Sequence, residues 1–228
     1  MAGNDGGLLA ALRLADSFLP VGSYTLSYGL ESFVEEDRVE DGDDLRELLA
    51  DYLRGQVGPC DMVALSAAHR AAREEDLERL ARVDDRLHAT LLPSESRESS
   101  LTSGRRLLDV VGGEDGFVDR YADDVDGSVR GHHPVAMGVV TAAKGISERE
   151  ARLVFGYAFV TGLLGAAQRL LRLGHTEIQV ILHDLFPVIE EVEREAAGRE
   201  LAELRSTVPL IDVEGMRHER AERRLFVS

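Results

Sequence analysis

A stretch of fifteen residues without a charged side chain decides the fold of this chain: residues 153–167, with the sequence LVFGYAFVTGLLGAA. Fifteen residues are too few to cross a bilayer as a helix, which takes about 20. The glycines and alanines of this stretch allow neighbouring backbones to approach closely. Ser147 and Glu150 precede it with the spacing of a capping box, which predicts a helix over residues 148–173. We expect this helix to be the buried centre of the molecule.

Helical patterns extend through most of the remaining sequence. Apolar residues follow helical spacing in residues 44–53, 61–72, 77–91, 94–111, 135–144 and 176–197. Gly58-Pro59 is expected to end the first of these helices, and Pro187 to bend the last. Since no window alternates with a period of two between hairpin turns, the sequence predicts an all-α fold. We expect one bundle-like domain of about eight to ten helices over residues 1–206, around the central apolar, glycine-rich helix, followed by a tail over residues 207–228.

Composition narrows the class of protein. Hydrophobic residues make up 44 % of the 228 residues, which is typical of a folded globular protein. The single cysteine, Cys60, excludes an intrachain disulfide and fits a reducing compartment. Residues 1–7 lack the basic and apolar regions of a signal peptide, so we expect a cytoplasmic location without a membrane association.

The charge balance indicates a habitat more than an activity. The formal net charge is −16, and Lys144 is the only lysine among 26 basic residues. Many acidic groups keep a protein surface hydrated where salt screens charge, so we interpret the composition as that of a halophile. No stripe of arginines dominates, which argues against nucleic acid as a partner.

Motifs of catalysis and of cofactor binding do not occur in the sequence. It contains no phosphate-binding loop, no dinucleotide fingerprint and no nucleophile elbow. His132 and His133, just before Pro134, are weak metal-ligand candidates, with packing in a turn as the alternative. Residues 112–131 are glycine-rich and acidic but lack calcium-site spacing, so we interpret them as a solvated loop or short helix. The sequence predicts a protein that is not an enzyme and has no cofactor or resident metal.

Five blocks, taken together, resemble one family, the urease accessory protein UreF. These blocks are residues 19–31 (LPVGSYTLSYGLE), 95–108 (ESRESSLTSGRRLL), 132–145 (HHPVAMGVVTAAKG), 166–179 (AAQRLLRLGHTEIQ) and 208–228 (VPLIDVEGMRHERAERRLFVS). The chain departs from the usual family pattern in a few places. Tyr24 stands in place of Phe, Tyr28 in place of Gln or His, Arg172 in place of Pro and His175 in place of Gln.

The resemblance implies an all-helical, non-catalytic chaperone for nickel insertion into urease. Members of this family form homodimers and bind a second accessory protein, UreD, also called UreH. That pair recruits the nickel-carrying GTPase UreG, and the assembly docks on apo-urease. GTP hydrolysis in UreG then releases nickel, and the active-site lysine of urease is carbamylated in the process.

The candidate partner-binding residues lie in these blocks. They are Pro20, Gly22, Tyr24, Glu31, Arg97, Ser99, Ser100, Gly104, Arg105, Arg169, Gly174, Arg217, His218, Arg220, Arg224 and Phe226. Arg97 and Arg105 are eight positions apart and lie on one face of a predicted helix. We expect them either to anchor an interface or to form surface ion pairs with Glu95 or Asp109. The small residues between them, Ser99, Ser100 and Gly104, would allow a neighbouring helix to approach closely. Residues 19–31, which are nearly uncharged, fit either a buried turn and helix or a surface reserved for a partner.

The C-terminal block is a basic segment in an acidic chain. Within residues 215–226 four arginines outnumber two glutamates, and residues 225–227 are apolar. We expect this tail to be loosely held in the free protein and to become ordered on the UreD-type partner, with a frayed end as the alternative.

Two other functions are compatible with the sequence. The protein could regulate the UreG GTPase by inserting an arginine, for which Arg105, Arg106 and Arg169 are candidates. It could instead carry metal through the two adjacent histidines together with His175.

Overall fold

The computed structural model describes residues 5–16, 19–20, 29–111, 116–125, 127–208 and 213. Within these residues the chain forms ten α-helices, a π-helical segment and a short 3₁₀ turn, with no strand. The α-helices are α1 Asp5–Ala15, α2 Leu30–Glu35, α3 Gly42–Tyr52, α4 Val63–Arg73, α5 Leu77–Thr90, α6 Ser94–Val111, α7 Gly116–Asp123, α8 His133–Ala143, α9 Glu148–Leu170 and α10 His175–Ala197. The predicted all-α class is confirmed.

Helix α9 lies at the centre, as expected. Its capping box is present: the Glu150 amide donates to Ser147 Oγ at 3.2 Å, and the Ser147 amide donates to the Glu150 carboxylate at 2.9 Å. The helix packs against α1, α8, α10 and the π-helical segment. At Gly156 an added Cβ would lie 2.8 Å from Met62 Cε and 3.0 Å from Ile189 Cγ2, so the helix is closely packed here. The helix ends before residue 173 because Arg172 adopts a positive φ of 53°.

The complete helix α9 is longer than the charge-free stretch on which the sequence argument relied. Its 23 residues are long and apolar enough to cross a membrane, by length and composition alone. The expectation that this helix is too short to cross a bilayer was therefore wrong, because it counted only the fifteen charge-free residues. Half of its most apolar 18-residue window is buried against the rest of the molecule. Core helices of soluble proteins share these properties.

The expected helix break at Gly58-Pro59 is wrong. A π-helical segment, Leu53–Met62, joins α3 directly to α4 and contains Pro59 in its interior. Proline lacks an N–H, and the wider π turn accommodates that loss without ending the helix. A Cβ at Gly58 would lie 2.7 Å from Val192 Cβ, so this dipeptide lets α10 pack closely.

Residues 116–131 contain the predicted short helix, α7, and then a turn; residues 112–115 and 126 lie outside the described part. Tyr121 on this helix is fully buried. Helix α10 continues through Pro187, in agreement with the helix predicted over residues 176–197, and the bend expected at this proline stays a prediction. Helix α8 packs most extensively against α4, where a Cβ at Gly138 would lie 2.5 Å from the Leu65 carbonyl oxygen.

Candidate partner-binding surfaces

Helix α1 presents a ridge of leucines to solvent. Leu8, Leu9 and Leu12 are 62 %, 67 % and 60 % exposed, whereas Leu14 is buried. The helix itself is held against α9. Adjacent exposed leucines on one short helix form an apolar patch of the kind found at interaction surfaces.

An open groove of about 980 Å³ lies between α1 and α9, and Leu8 and Leu12 of this ridge form part of its wall. Its apolar lining includes Leu8, Leu12, Leu153 and Tyr157, and Asp5, Asp16 and Glu150 are its acidic members. The Tyr157 ring lies 6.4 Å from the ring of Phe186 on α10, and both side chains are more than a third exposed. We call the ridge, the groove and these two rings together the apolar surface.

Sequence reasoning missed the apolar surface. The signal for the ridge was the cluster of leucines in LLAALRL at residues 8–14. Periodicity alone does not reveal which leucines of so short a segment face the core. The rings of Tyr157 and Phe186 lie 29 positions apart in sequence, so only the packing of α9 on α10 brings them together.

A second arrangement, inside the molecule, fixes the segment before α8. The buried Asp84 carboxylate accepts from the amides of Arg130, Gly131 and His132 at 3.0–3.1 Å. It also accepts from the Tyr121 hydroxyl at 3.3 Å. Burial raises the pKa of Asp84, opposed by these hydrogen bonds. The carboxylate thus ties α5 to the chain that enters α8.

The predicted small residues of α6 contact this same segment. A Cβ at Gly104 would lie 1.9 Å from the Gly131 carbonyl oxygen. Ser100 Oγ lies 3.1 Å from His132 Nδ1 and accepts from the His133 amide at 3.2 Å. Ser99 is buried, and its Oγ has no hydrogen-bond partner among the described residues. The close approach that these residues permit is used by the chain itself, and their contact with a partner stays a prediction.

The paired histidines pack against other rings. His132 Nε2 lies 3.1 Å from His88 Nδ1, and the His133 ring lies 5.5 Å from that of Phe155. Burial lowers the pKa of His132 to about 3 and that of His133 to about 4, so both rings are neutral at neutral pH. The described residues contain no group of three or more His, Cys, Asp or Glu side chains placed to hold a metal ion. The exposed His175 contacts Gln168.

The predicted arginines have different surroundings. The half-buried Arg97 donates from Nη1 to the carbonyls of Leu91 and Leu92, both at 2.7 Å, and holds the end of α5 to α6. The sequence predicts either a partner contact or an ion pair for Arg97. Neither of these two alternatives includes a contact with main-chain carbonyls. The other three candidates, Arg105, Arg106 and Arg169, are exposed.

The remaining candidates lie at scattered places. Pro20 is exposed, Glu31 is buried on α2, and Gly174 is the exposed N-cap of α10. Of the turn and helix that residues 19–31 could form, the described part is the start of α2 at Leu30, after Gly29 with a φ of 79°. The other candidates lie outside the described residues: Gly22, Tyr24, Arg217, His218, Arg220, Arg224 and Phe226.

Comparison with known proteins agrees with the resemblance. Residues 39–186 match the model of the UreF family. The chain is 36 % identical to the urease accessory protein UreF of Trichodesmium erythraeum, over 96 % of each chain. It is 32 % identical to the urease accessory protein UreF of Yersinia enterocolitica, over 98 % of this chain and 99 % of the relative. It is 31 % identical to the urease accessory protein UreF 1 of Brucella melitensis, over 97 % and 93 %. The chain belongs to the UreF family.

Proposed function

We propose that this chain is a non-catalytic urease accessory protein that acts as a scaffold for nickel insertion. In this role it bridges a UreD/UreH-type protein and the UreG GTPase on apo-urease. The observation that carries the proposal, beside the family, is the apolar surface. Three leucines that are 60 % or more exposed lie together on α1, and a contiguous apolar patch of this kind is typical of a surface that another protein covers.

A homodimer through the apolar surface fits its shape. Leu8 and Leu12 of the ridge line the groove, so the ridge of one copy can lie against the groove wall of the other. Such a self-complementary patch produces a two-fold interface. Asp5 and Arg13 lie four positions on either side of Leu9. Two α1 helices packed antiparallel around Leu9 would bring each Asp5 near the Arg13 of the second copy, although Arg13 Nη2 also donates to the Val110 carbonyl of its own chain at 3.3 Å.

Substituting the ridge tests this arrangement. We expect Leu8→Asp and Leu12→Asp to convert the dimer, at twice 25.0 kDa, into a monomer. The matched control is Leu92→Asp, because Leu92 is also 60 % exposed but lies between α5 and α6. Light scattering after size exclusion measures the mass, and circular dichroism checks the helical content. A dimer that survives both ridge substitutions contradicts the arrangement.

The UreD-type and UreG partners require further surfaces. The C-terminal segment is our candidate for the UreD-type protein, because its arginines offer specificity and its last apolar residues offer burial. Pull-down with residues 215–228 deleted tests this, and undiminished binding by the folded deletion variant contradicts it. The single cysteine and the acidic, lysine-poor composition support a location in the cytoplasm of a halophile.

A regulatory role toward UreG is the second candidate, favoured by the exposure of Arg105, Arg106 and Arg169. A guanidinium inserted into a GTPase site accelerates hydrolysis, whereas an anchor only binds. Single-turnover GTP hydrolysis by UreG, with each arginine changed to alanine, separates the two roles. Loss of rate at saturating concentrations of the variant supports regulation, and loss of binding alone supports the scaffold.

A further inference from the structure

Residues 204–208, which we call the strap, are not helical and lie across the π-helical segment. The Thr207 amide donates to the Gly55 carbonyl at 2.8 Å, and the Arg205 amide donates to the Pro59 carbonyl at 3.2 Å. Leu204 and Val208, at the two ends of the strap, are only 2 % and 6 % exposed. The strap is therefore attached by main-chain bonds and by buried apolar side chains.

The residue types of the π-helical segment fit this attachment. A Cβ at Gly55 would lie 2.3 Å from Val208 Cγ1 and 3.1 Å from the Thr207 carbonyl oxygen. Valine is stiff at χ1, so it could not move aside easily. A carbonyl oxygen has two lone pairs and can accept from the strap even where it also serves its own helix. Only glycine at position 55 lets the strap come this close.

Neighbouring elements hold the strap and the segment in one place. Arg86 of α5 donates from Nη2 to the Leu204 carbonyl at 3.4 Å. Arg54 of the π-helical segment makes a two-pronged pair with Glu191 of α10, at 3.0 and 3.1 Å. The strap is thus fixed relative to α5 and α10.

We propose that the π-helical segment is an anchoring site for the strap, and that Gly55 is a positioning residue for partner binding by the residues beyond 208. Anchoring at Val208 fixes the position of the residue to which the C-terminal segment is joined. A fixed starting point raises the effective concentration of that segment at a partner already bound to the body, and lowers the entropy lost on binding. This inference rests on the proposed role of the C-terminal segment in binding the UreD-type protein.

The experiment measures affinity for a purified UreD-type protein with the full-length chain. We expect Gly55→Ala to weaken binding by about tenfold or more, because the methyl group displaces Val208 and frees the strap. The double variant Gly55→Ala/Val208→Ala removes the atom that is struck but also part of the buried Val208 side chain, so it should recover the affinity in part. Gly198→Ala is the matched control, because a Cβ there meets nothing within 4 Å. Hydrogen exchange at the Thr207 amide should accelerate in the single variant and slow again in the double variant.

Two further variants keep the outcomes distinct. Thr207→Pro removes the amide that donates to Gly55 without changing the helical body, so it replaces Gly55→Ala should that variant fail to fold, and should weaken binding likewise. If deletion of residues 215–228 leaves the affinity unchanged, the proposed role of the tail and the anchoring inference both fail. If that deletion weakens binding while Gly55→Ala and Thr207→Pro bind as wild type, only the anchoring inference is overturned.

Discussion

Replacing Arg152 tests how the central helix is held in the molecule. Its guanidinium donates from Nε and Nη2 to one carboxylate oxygen of Glu193 on α10, at 3.1 and 2.8 Å. It also donates from Nη1 to Ser66 Oγ on α4 at 2.9 Å and to Glu148 at 2.7 Å. Arg152 and Glu193 are 4 % and 2 % exposed. One side chain therefore joins three helices in a site with little water.

Arg152→Met leaves the Glu193 carboxylate buried without its main partner. Removing one member of a buried ion pair costs about 3–5 kcal/mol of unfolding free energy. For a domain of this size that loss lowers Tm by roughly 10 °C. Arg149, 3.7 Å from the same carboxylate, is two-thirds exposed and compensates little. Because a buried pair is often no more stabilising than apolar side chains, Arg152→Met/Glu193→Met should recover most of the loss.

Urea unfolding followed by circular dichroism measures these differences. Arg54→Met is the matched control: it removes a two-pronged arginine–glutamate pair to the same helix α10, but one that is 50 % and 40 % exposed. An exposed pair contributes about 1 kcal/mol or less. Two results would refute this prediction. One is an Arg152→Met variant that loses no more unfolding free energy than Arg54→Met, and the other is a further loss when Glu193→Met is added to Arg152→Met.

Two further predictions concern buried groups. Burial raises the pKa of Asp61 from 3.8 to about 7, which corresponds to about 4 kcal/mol at most. The folded state therefore binds the proton more tightly than the unfolded state. Wild-type stability should fall as the pH rises from about 4 to about 7. Asp61→Asn does not titrate, so its advantage over wild type should grow across that range in urea unfolding at several pH values. A constant difference between the two proteins would contradict this. Gly104→Ala should destabilise by about 1–3 kcal/mol, because its Cβ would strike the Gly131 carbonyl, whereas Gly198→Ala should change stability little. Equal Tm values for these two variants would contradict the close packing of α6.

Local signals predicted the regular parts of the fold. The capping box at Ser147 and Glu150 placed the start of α9, and residues 94–111 form a helix with the predicted limits. Both signals depend on residues within one or two turns of each other. The π-helical segment was missed because Gly58-Pro59 has the local composition of a helix end. Its continuation depends on α10, which is more than a hundred residues away in sequence.

The candidate site was less predictable because its contacts are distant in sequence. Asp84 lies 46 to 48 positions from the amides that it binds, and no motif signals such a pairing. Arginine is a residue type typical of interface anchors, but Arg97 donates to main-chain carbonyls at the end of a helix. The exposure of Leu9 depends on how α1 packs against α9. The periodicity of the sequence does not determine that packing.

The central claim is that the apolar surface is covered by a second copy of the chain. Its most direct test is hydrogen exchange of the α1 amides in the chain alone, first at a concentration that keeps it monomeric and then at a higher concentration in the same salt. The account predicts that the mass rises to that of two copies and that exchange of the α1 amides slows at least several-fold. Unchanged exchange, with the chain still eluting at the mass of one copy at the higher concentration, would contradict it.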